Sequence, residues 1–186
     1  MSFTWTAHRF AGGALALDVA NSVVMRFEPG RRIDRFDDVG AMDSFADAAN
    51  LYGAERERFG TLVPARPENS KSLLELREAT DRHFRAKARA EDRPDLLADL
   101  LEAIAAVLRH APGSGRYVAL DVAAAHSALS LVTNPDPDRL KICPNCEWLF
   151  LDRSRNRSRT WCDMAVCGNR TKARRHYRRN KEETQP

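Results

Sequence analysis

No stretch of the chain approaches the ~20 consecutive apolar residues that a membrane-spanning helix needs, and a membrane protein is not expected. The most apolar patch, Gly12 to Met25, is interrupted by Asp18 and Asn21. It has neither a basic leader nor a small-residue cleavage site, so the expected location is the cytoplasm. Signatures of catalysis are equally scarce. The chain has no Gly-rich phosphate loop, no His-Glu-x-x-His pair and no recognisable nucleophile motif, and an enzyme is not expected. Internal repeats and low-complexity tracts are missing too, apart from an alternation of arginine over 153–159. Cysteine is rare: the 186 residues contain four, all in the last quarter.

Those four carry the strongest signal. Cys143-Pro144-Asn145-Cys146 is followed by fifteen residues and then by Cys162 and Cys167, themselves with four residues between them. Two short-spaced pairs divided by a mid-length loop fit a metal site. A CxxC turn can aim two sulfurs at one point, and the loop can return the second pair to it. Zinc takes four such ligands in a tetrahedron. Two disulfides would suit a secreted chain, and clustered pairs outside an oxidising compartment favour metal. A redox CxxC would want a βαβ context and leaves the second pair unexplained. Four thiolates close the coordination shell, whereas a catalytic zinc keeps a position open. One structural Zn2+ on Cys143, Cys146, Cys162 and Cys167 is therefore expected.

Charge is unevenly distributed. Residues 1–138 carry 17 Lys and Arg against 21 Asp and Glu, whereas 139–186 carry 13 against 5. A basic segment on a mildly acidic body points to a polyanionic partner for that segment alone. The alternative is a solvated basic tail. Length, 43% hydrophobic content and 30% charged content suit one ordinary domain plus a small module, placed at 1–134 and 138–182.

Along the body, Leu15, Leu17 and Val19 alternate as in a short strand, with a helix starting at Val19 as the alternative. Asp18 and Asn21 are candidates for a ligand pocket, or for turn caps; with His126 they would form a site only if the fold gathers them. Residues 31–36 read as a second strand, and 42–53 as a helix capped by Asp43 or Ser44 and stopped by Gly53. The stretch 60–69 reads as linker. Helices are expected from about Ser72 to Ala90, where Ser72 and Glu75 have capping-box spacing, and from Pro94 to about His110. Ala111 to Gly115 ends the latter. A short strand or turn and a buried helix follow over Tyr117–Val132, and Asn134 to Pro137 marks the boundary. In the module, Glu147–Asp152 reads as a strand with Trp148 and Phe150 on one face and Leu149 and Leu151 on the other. A helix follows Gly168. The fold class is α+β, mostly α: a helical N-terminal domain with a small β element, then a treble-clef-like zinc module of hairpin and basic helix.

The module also resembles a known family. Ile142-Cys143-Pro144-Asn145-Cys146-Glu147-Trp148-Leu149-Phe150-Leu151-Asp152, then Ser154-Arg155-Asn156, Trp161-Cys162, Met164 and Cys167-Gly168-Asn169-Arg170 are similar to the CGNR zinc-finger family of bacterial proteins. That resemblance implies a preceding domain of the ABATE type, to whose start Leu17–Asn21 is similar. It also implies a role in stress-induced transcription regulation.

On a helix, Lys172, Arg175 and Arg179 share a face, and Arg174 and Arg178 form an adjacent stripe. Clustered like charges destabilise an isolated helix, and phosphates would relieve that. Arg170, beside Cys167, is a candidate either for phosphate or for offsetting the zinc-thiolate charge. Arg153, Arg155, Arg157 and Arg159 would extend the contact, unless Arg155 and Asn156 shape the loop. The leading expectation is a regulator that binds duplex DNA, with a body that senses a small-molecule or protein signal or forms a homodimer. A protein-interaction module using Trp148 and Trp161 as exposed anchors is the alternative, and RNA binding a further one.

Overall fold

The computed structural model describes residues 3–111, 116–133 and 137–183. Six helices and three two-stranded ribbons are seen among them. The first helix, α1 (Leu15–Ala20), lies where alternation suggests a strand, and all six of its residues are buried. A helix buried on every side shows no amphipathic period, so its pattern imitates a strand. Helix α2 (Val39–Tyr52) begins before the expected start, because Asp38 accepts hydrogen bonds from the Gly40 and Ala41 amides; Gly53 ends it as expected. Between α1 and α2, β1 (Val23–Val24) pairs antiparallel with β2 (Ile33–Asp34), so only the centre of the expected 31–36 strand is extended. Trp5, Phe10, Phe36 and Phe45 gather here, with Trp5 edge-on to Phe45 at 4.9 Å and donating to the Ala41 carbonyl at 2.7 Å.

The stretch read as linker holds β3 (Thr61–Val63), which pairs in parallel with β4 (Tyr117–Ala119). The Asn50 side chain secures it by donating to the Leu62 carbonyl and accepting from the Leu62 amide, both at 2.9 Å. Helix α3 (Ser70–Ala88) starts just before Ser72, with no side-chain bond from its cap residue Asn69. Helices α4 (Pro94–Arg109) and α5 (Leu120–Val132) follow the expected bounds closely. The expected helix end at 112–115 and boundary at 134–136 lie outside the described residues. Helices α1, α3, α4 and α5 pack together around Leu17, Leu73, Leu76, Leu100, Ile104, Val107 and Leu120.

One face of α3 carries charge into the interior. Arg77 holds Asp34 by two hydrogen bonds of 2.6 Å and also meets Glu78. Arg26 bridges Glu78 to Asp81, and Arg85 holds Asp81 at 2.6 and 3.1 Å. The side chains of Asp34, Arg77, Asp81 and Arg85 are almost wholly buried, and each is paired, as burial of charge requires.

The C-terminal part is a hairpin of β5 (Leu140–Ile142) and β6 (Leu149–Leu151), in which Leu140 faces Leu151. A single π-type turn (Met164–Gly168) then leads into α6 (Asn169–Glu183). Strand β6 has two apolar faces, as its parity predicts. Leu149 and Leu151 enter the main core, and Trp148 and Phe150 enter a small separate core with Cys143, Cys162 and Cys167. The hairpin therefore closes the body on one side and builds the cysteine site on the other.

Candidate metal centre and basic helix

The knuckle, the hairpin turn over 143–147, brings the first two sulfurs together. The Cys143 amide donates to the Trp148 carbonyl at 2.9 Å, and the Glu147 amide to the Cys143 carbonyl at 2.8 Å. Glu147 takes φ of 60°, which a non-glycine residue adopts only where surroundings demand it. Two groups of the body hold this turn. Arg85 donates to the Glu147 carbonyl at 2.9 Å. Asn21 donates to the Leu149 carbonyl at 2.9 Å and accepts from the Leu149 amide at 3.0 Å.

The second pair is set by Asp163. Its carboxylate accepts from the Ala165 and Val166 amides at 2.8 and 3.3 Å, and its carbonyl from the amides of Cys167 and Gly168. Gly168 has a steric reason to be glycine: a Cβ there would lie 2.4 Å from Met164 Sδ and 3.2 Å from Trp161 Cδ1. Burial would raise the Asp163 carboxyl, but the bond from His8 and the two amides hold it below its ordinary value. His8 Nδ1 lies 2.9 Å from Asp163 Oδ2, and its ring stacks on Trp148. Beside it, Arg9 lies over the Trp148 ring. Burial first, then Arg35 and Arg170, pull Arg9 below the usual guanidinium value, against the nearby Cys146 sulfur. These N-terminal contacts to the site leave no trace in residue spacing.

All four sulfurs lie within 4.8 Å of one another, with Cys146–Cys162 at 3.6 Å and Cys162–Cys167 at 3.7 Å. A tetrahedron of zinc–sulfur bonds near 2.3 Å has edges of ~3.8 Å, whereas a disulfide would place its sulfurs at ~2.05 Å. The cysteines are free. Hydrogen bonds from Cys146 and Cys162 push the Cys143 thiol down, and facing Cys143 pushes those two up. Thiols so crowded cannot all ionise unless a cation replaces their protons. The donor set suits one structural zinc held by Cys143, Cys146, Cys162 and Cys167, which would cross-link the hairpin to α6.

The loop between the pairs is organised by Asp152, which sequence reading missed. Its buried carboxylate accepts from Lys141 Nζ at 2.7 Å, Ser154 Oγ at 2.6 Å, and the Ser154 and Arg159 amides at 3.0 and 2.8 Å. Burial would raise this carboxyl, but Lys141, Ser154 and the amides together hold it well below its usual range. The four arginines of the loop do not form one row. Arg153 donates to the Gly13 carbonyl, and Arg159 donates to the Cys162 carbonyl and lies over Phe150. Arg155 and Arg157 are exposed, and Arg157 reaches Asp138 at 3.3 Å.

In α6, Arg170, Lys172, Arg174, Arg175, Arg178 and Arg179 are all exposed. Arg174, Arg175, Arg178 and Arg179 line a cleft of about 450 Å³ with Thr171, Trp161, Pro144 and Asn145. Lys172 is not among its lining residues. Arg175 and Arg179 of one expected face and Arg174 and Arg178 of the adjacent stripe thus meet at one cleft, beside Pro144 and Asn145. Trp148 is buried and Trp161 half-buried. Asp18 and Asn21 are buried, and His126 is exposed on α5. Asn21 is committed to Leu149; Asp18 Oδ1 accepts from the Gly12 amide at 2.8 Å, and its Oδ2 has no partner among the described residues. A Cβ on Gly12 would lie 2.7 Å from that Oδ1, so Asp18 needs glycine there.

With this geometry in place, two family matches account for nearly all of it. Residues 13–135 match the family described as "Putative stress-induced transcription regulator", ABATE. The chain belongs to that family. Residues 139–180 match the CGNR zinc finger, which contains all four cysteines and the basic stretch of α6. No curated protein sequence matches the chain. Among the described residues, no helix is long and apolar enough to cross a membrane. The ABATE match covers the helical body and the finger match covers the hairpin and α6, so the Asn21–Leu149 and Arg85–Glu147 bonds run from one matched segment to the other.

Proposed function

We propose that this ABATE-family protein is a cytoplasmic, non-catalytic transcription regulator whose zinc-held basic helix grips DNA phosphates. One observation carries the reading. Arg174, Arg175, Arg178 and Arg179 are exposed along one cleft, and none is ion-paired with a described residue. Four unneutralised guanidinium groups on successive turns repel one another, and phosphate oxygens are the ligands their planar forks fit best. Arg170 and Lys172 on the same helix, with Arg155 and Arg157 on the loop, extend the contact to neighbouring phosphates. The helical body receives a signal linked to stress, in keeping with the family description, and acts through its bonds to the knuckle.

Fluorescence anisotropy of a labelled duplex, titrated with zinc-loaded protein at several salt concentrations, tests this. If five phosphates are engaged, log K should fall with log salt with a slope of roughly −4.5. Lys172→Ala, Arg175→Ala and Arg179→Ala together should lower both affinity and slope. Failure to bind duplex, or binding that ignores salt, would overturn the proposal.

A further inference from the structure

We propose that the cleft between Trp161 and α6 is a site for one unpaired nucleotide of a nucleic-acid strand, its base stacked on Trp161 and its phosphates held by the facing arginines. This deepens the DNA-binding reading and rests on it. The cleft is concave, and its volume of about 450 Å³ lies within the ~300–1,000 Å³ of small-ligand sites. An intact duplex is a convex rod whose bases are stacked inside it. It can meet the rim of the cleft but cannot send a base into it.

The walls have complementary chemistry. Trp161 is half-buried, and its Cδ1 lies so close to Gly168 that a Cβ there would sit 3.2 Å away. The indole packs against the cysteine core and offers its remaining surface as a platform. Arg174, Arg175, Arg178 and Arg179 of α6 line the same cleft, as do Pro144 and Asn145 of the knuckle. A fixed aromatic ring beside a row of cations is how single strands are held without reading sequence, since every base has a π face and every phosphate a charge. A guanidinium can also cover the outer face of the stacked base. The four arginines have no ion-pair partner among the described residues, so the anionic half of the site is not supplied by the chain itself.

The test compares labelled probes on the zinc-loaded full chain at one salt concentration: a blunt duplex, the same duplex with a short unpaired bubble, and a single strand, with free thymidine monophosphate as competitor. The unpaired probes should bind about tenfold or more tighter than the blunt duplex, the gain of stacking one base. Trp161→Leu should erase that preference and keep duplex binding, and Trp161→Phe should retain it. Equal affinity for blunt and unpaired probes would overturn this inference and leave the DNA-binding reading standing. Binding to none of them would overturn both. Competition by the free monophosphate as strong as by the single strand would also overturn it, because the occupant would then be a free nucleotide. If Trp161→Leu fails to retain zinc, the wild-type comparison alone decides.

Discussion

Arg85 donates to the carbonyl of Glu147, 2.9 Å away and 62 positions later in the chain. The same guanidinium grips Asp81 in the body, so one side chain ties the interior charges of α3 to the turn carrying Cys143 and Cys146. Arg85→Ala would leave Asp81 buried with Arg26 as its remaining partner and would unhook the left-handed Glu147. Breaking a buried pair this way costs about 3 kcal/mol. Urea unfolding should show that loss, and a chelator should take zinc from the variant faster than from wild type. Unchanged zinc release would mean that the knuckle stands without Arg85.

Asn21 makes a comparable bridge without charge. Asn21→Ala removes both partners of the Leu149 backbone inside the protein and should cost about 2–6 kcal/mol, since each buried group left unmade costs about 1–3. Asn21→Asp keeps the acceptor but loses the donor, and should also destabilise. A loss below roughly 0.5 kcal/mol in either variant would show that water replaces the amide.

Removing zinc should act unevenly. Chelation, or Cys162→Ser with Cys167→Ser, frees the turn at Met164–Gly168 and α6, which lose their cross-link. Strand β6 keeps Leu149 and Leu151 in the main core and its bonds to Asn21. Hydrogen exchange should therefore rise across 153–183 and stay slow at Leu149 and Leu151. Equal loss of protection at both sites would mean that the whole finger unfolds as a unit.

Gly168→Ala forces Met164 and Trp161 aside, and should cost about 1–2 kcal/mol. Met164 is half exposed, so Met164→Ala should recover most of that loss in the double variant. An additive double variant would place the strain on Trp161 instead.

Asp18 governs a pH dependence. Burial, the largest influence, pushes its carboxyl well above the ordinary range, and Glu55 adds to it; the Gly12 amide and Arg153 pull the other way. The folded protein thus holds this proton more tightly than the unfolded chain. Its contribution to stability is fully present below about pH 3.9 and is lost as pH rises through the raised value. Asp18→Asn fixes the neutral form, so its urea midpoint should fall less than that of wild type between about pH 4 and pH 7. Parallel curves would show that Asp18 is ionised when buried.

What sequence reading reached and missed follows from range. The cysteine quartet, the parity of Trp148 to Leu151, and helices α4 and α5 rest on local spacing, and local spacing was enough. Helix α1 misled because burial on all sides erases its period. The pairing of Thr61–Val63 with Tyr117–Ala119 joins distant segments of three residues, too short to show a pattern. Arg77, Asp81 and Arg85 look like a solvated stripe at i,i+4 spacing, and only partners from β2, Arg26 and the knuckle bury them. His8 and Arg9 reach the finger from the opposite end of the chain.

Strand β6 is a party wall, with oily side chains of one compartment on its left and of the other on its right. A finger excised at residue 138 would bare Leu140, Leu149 and Leu151 to water and clump. Grafting it onto an unrelated host would require a replacement for the covering surface as well as the metal. The two compartments can thus be expected to acquire substitutions jointly, since one short strand packs into both.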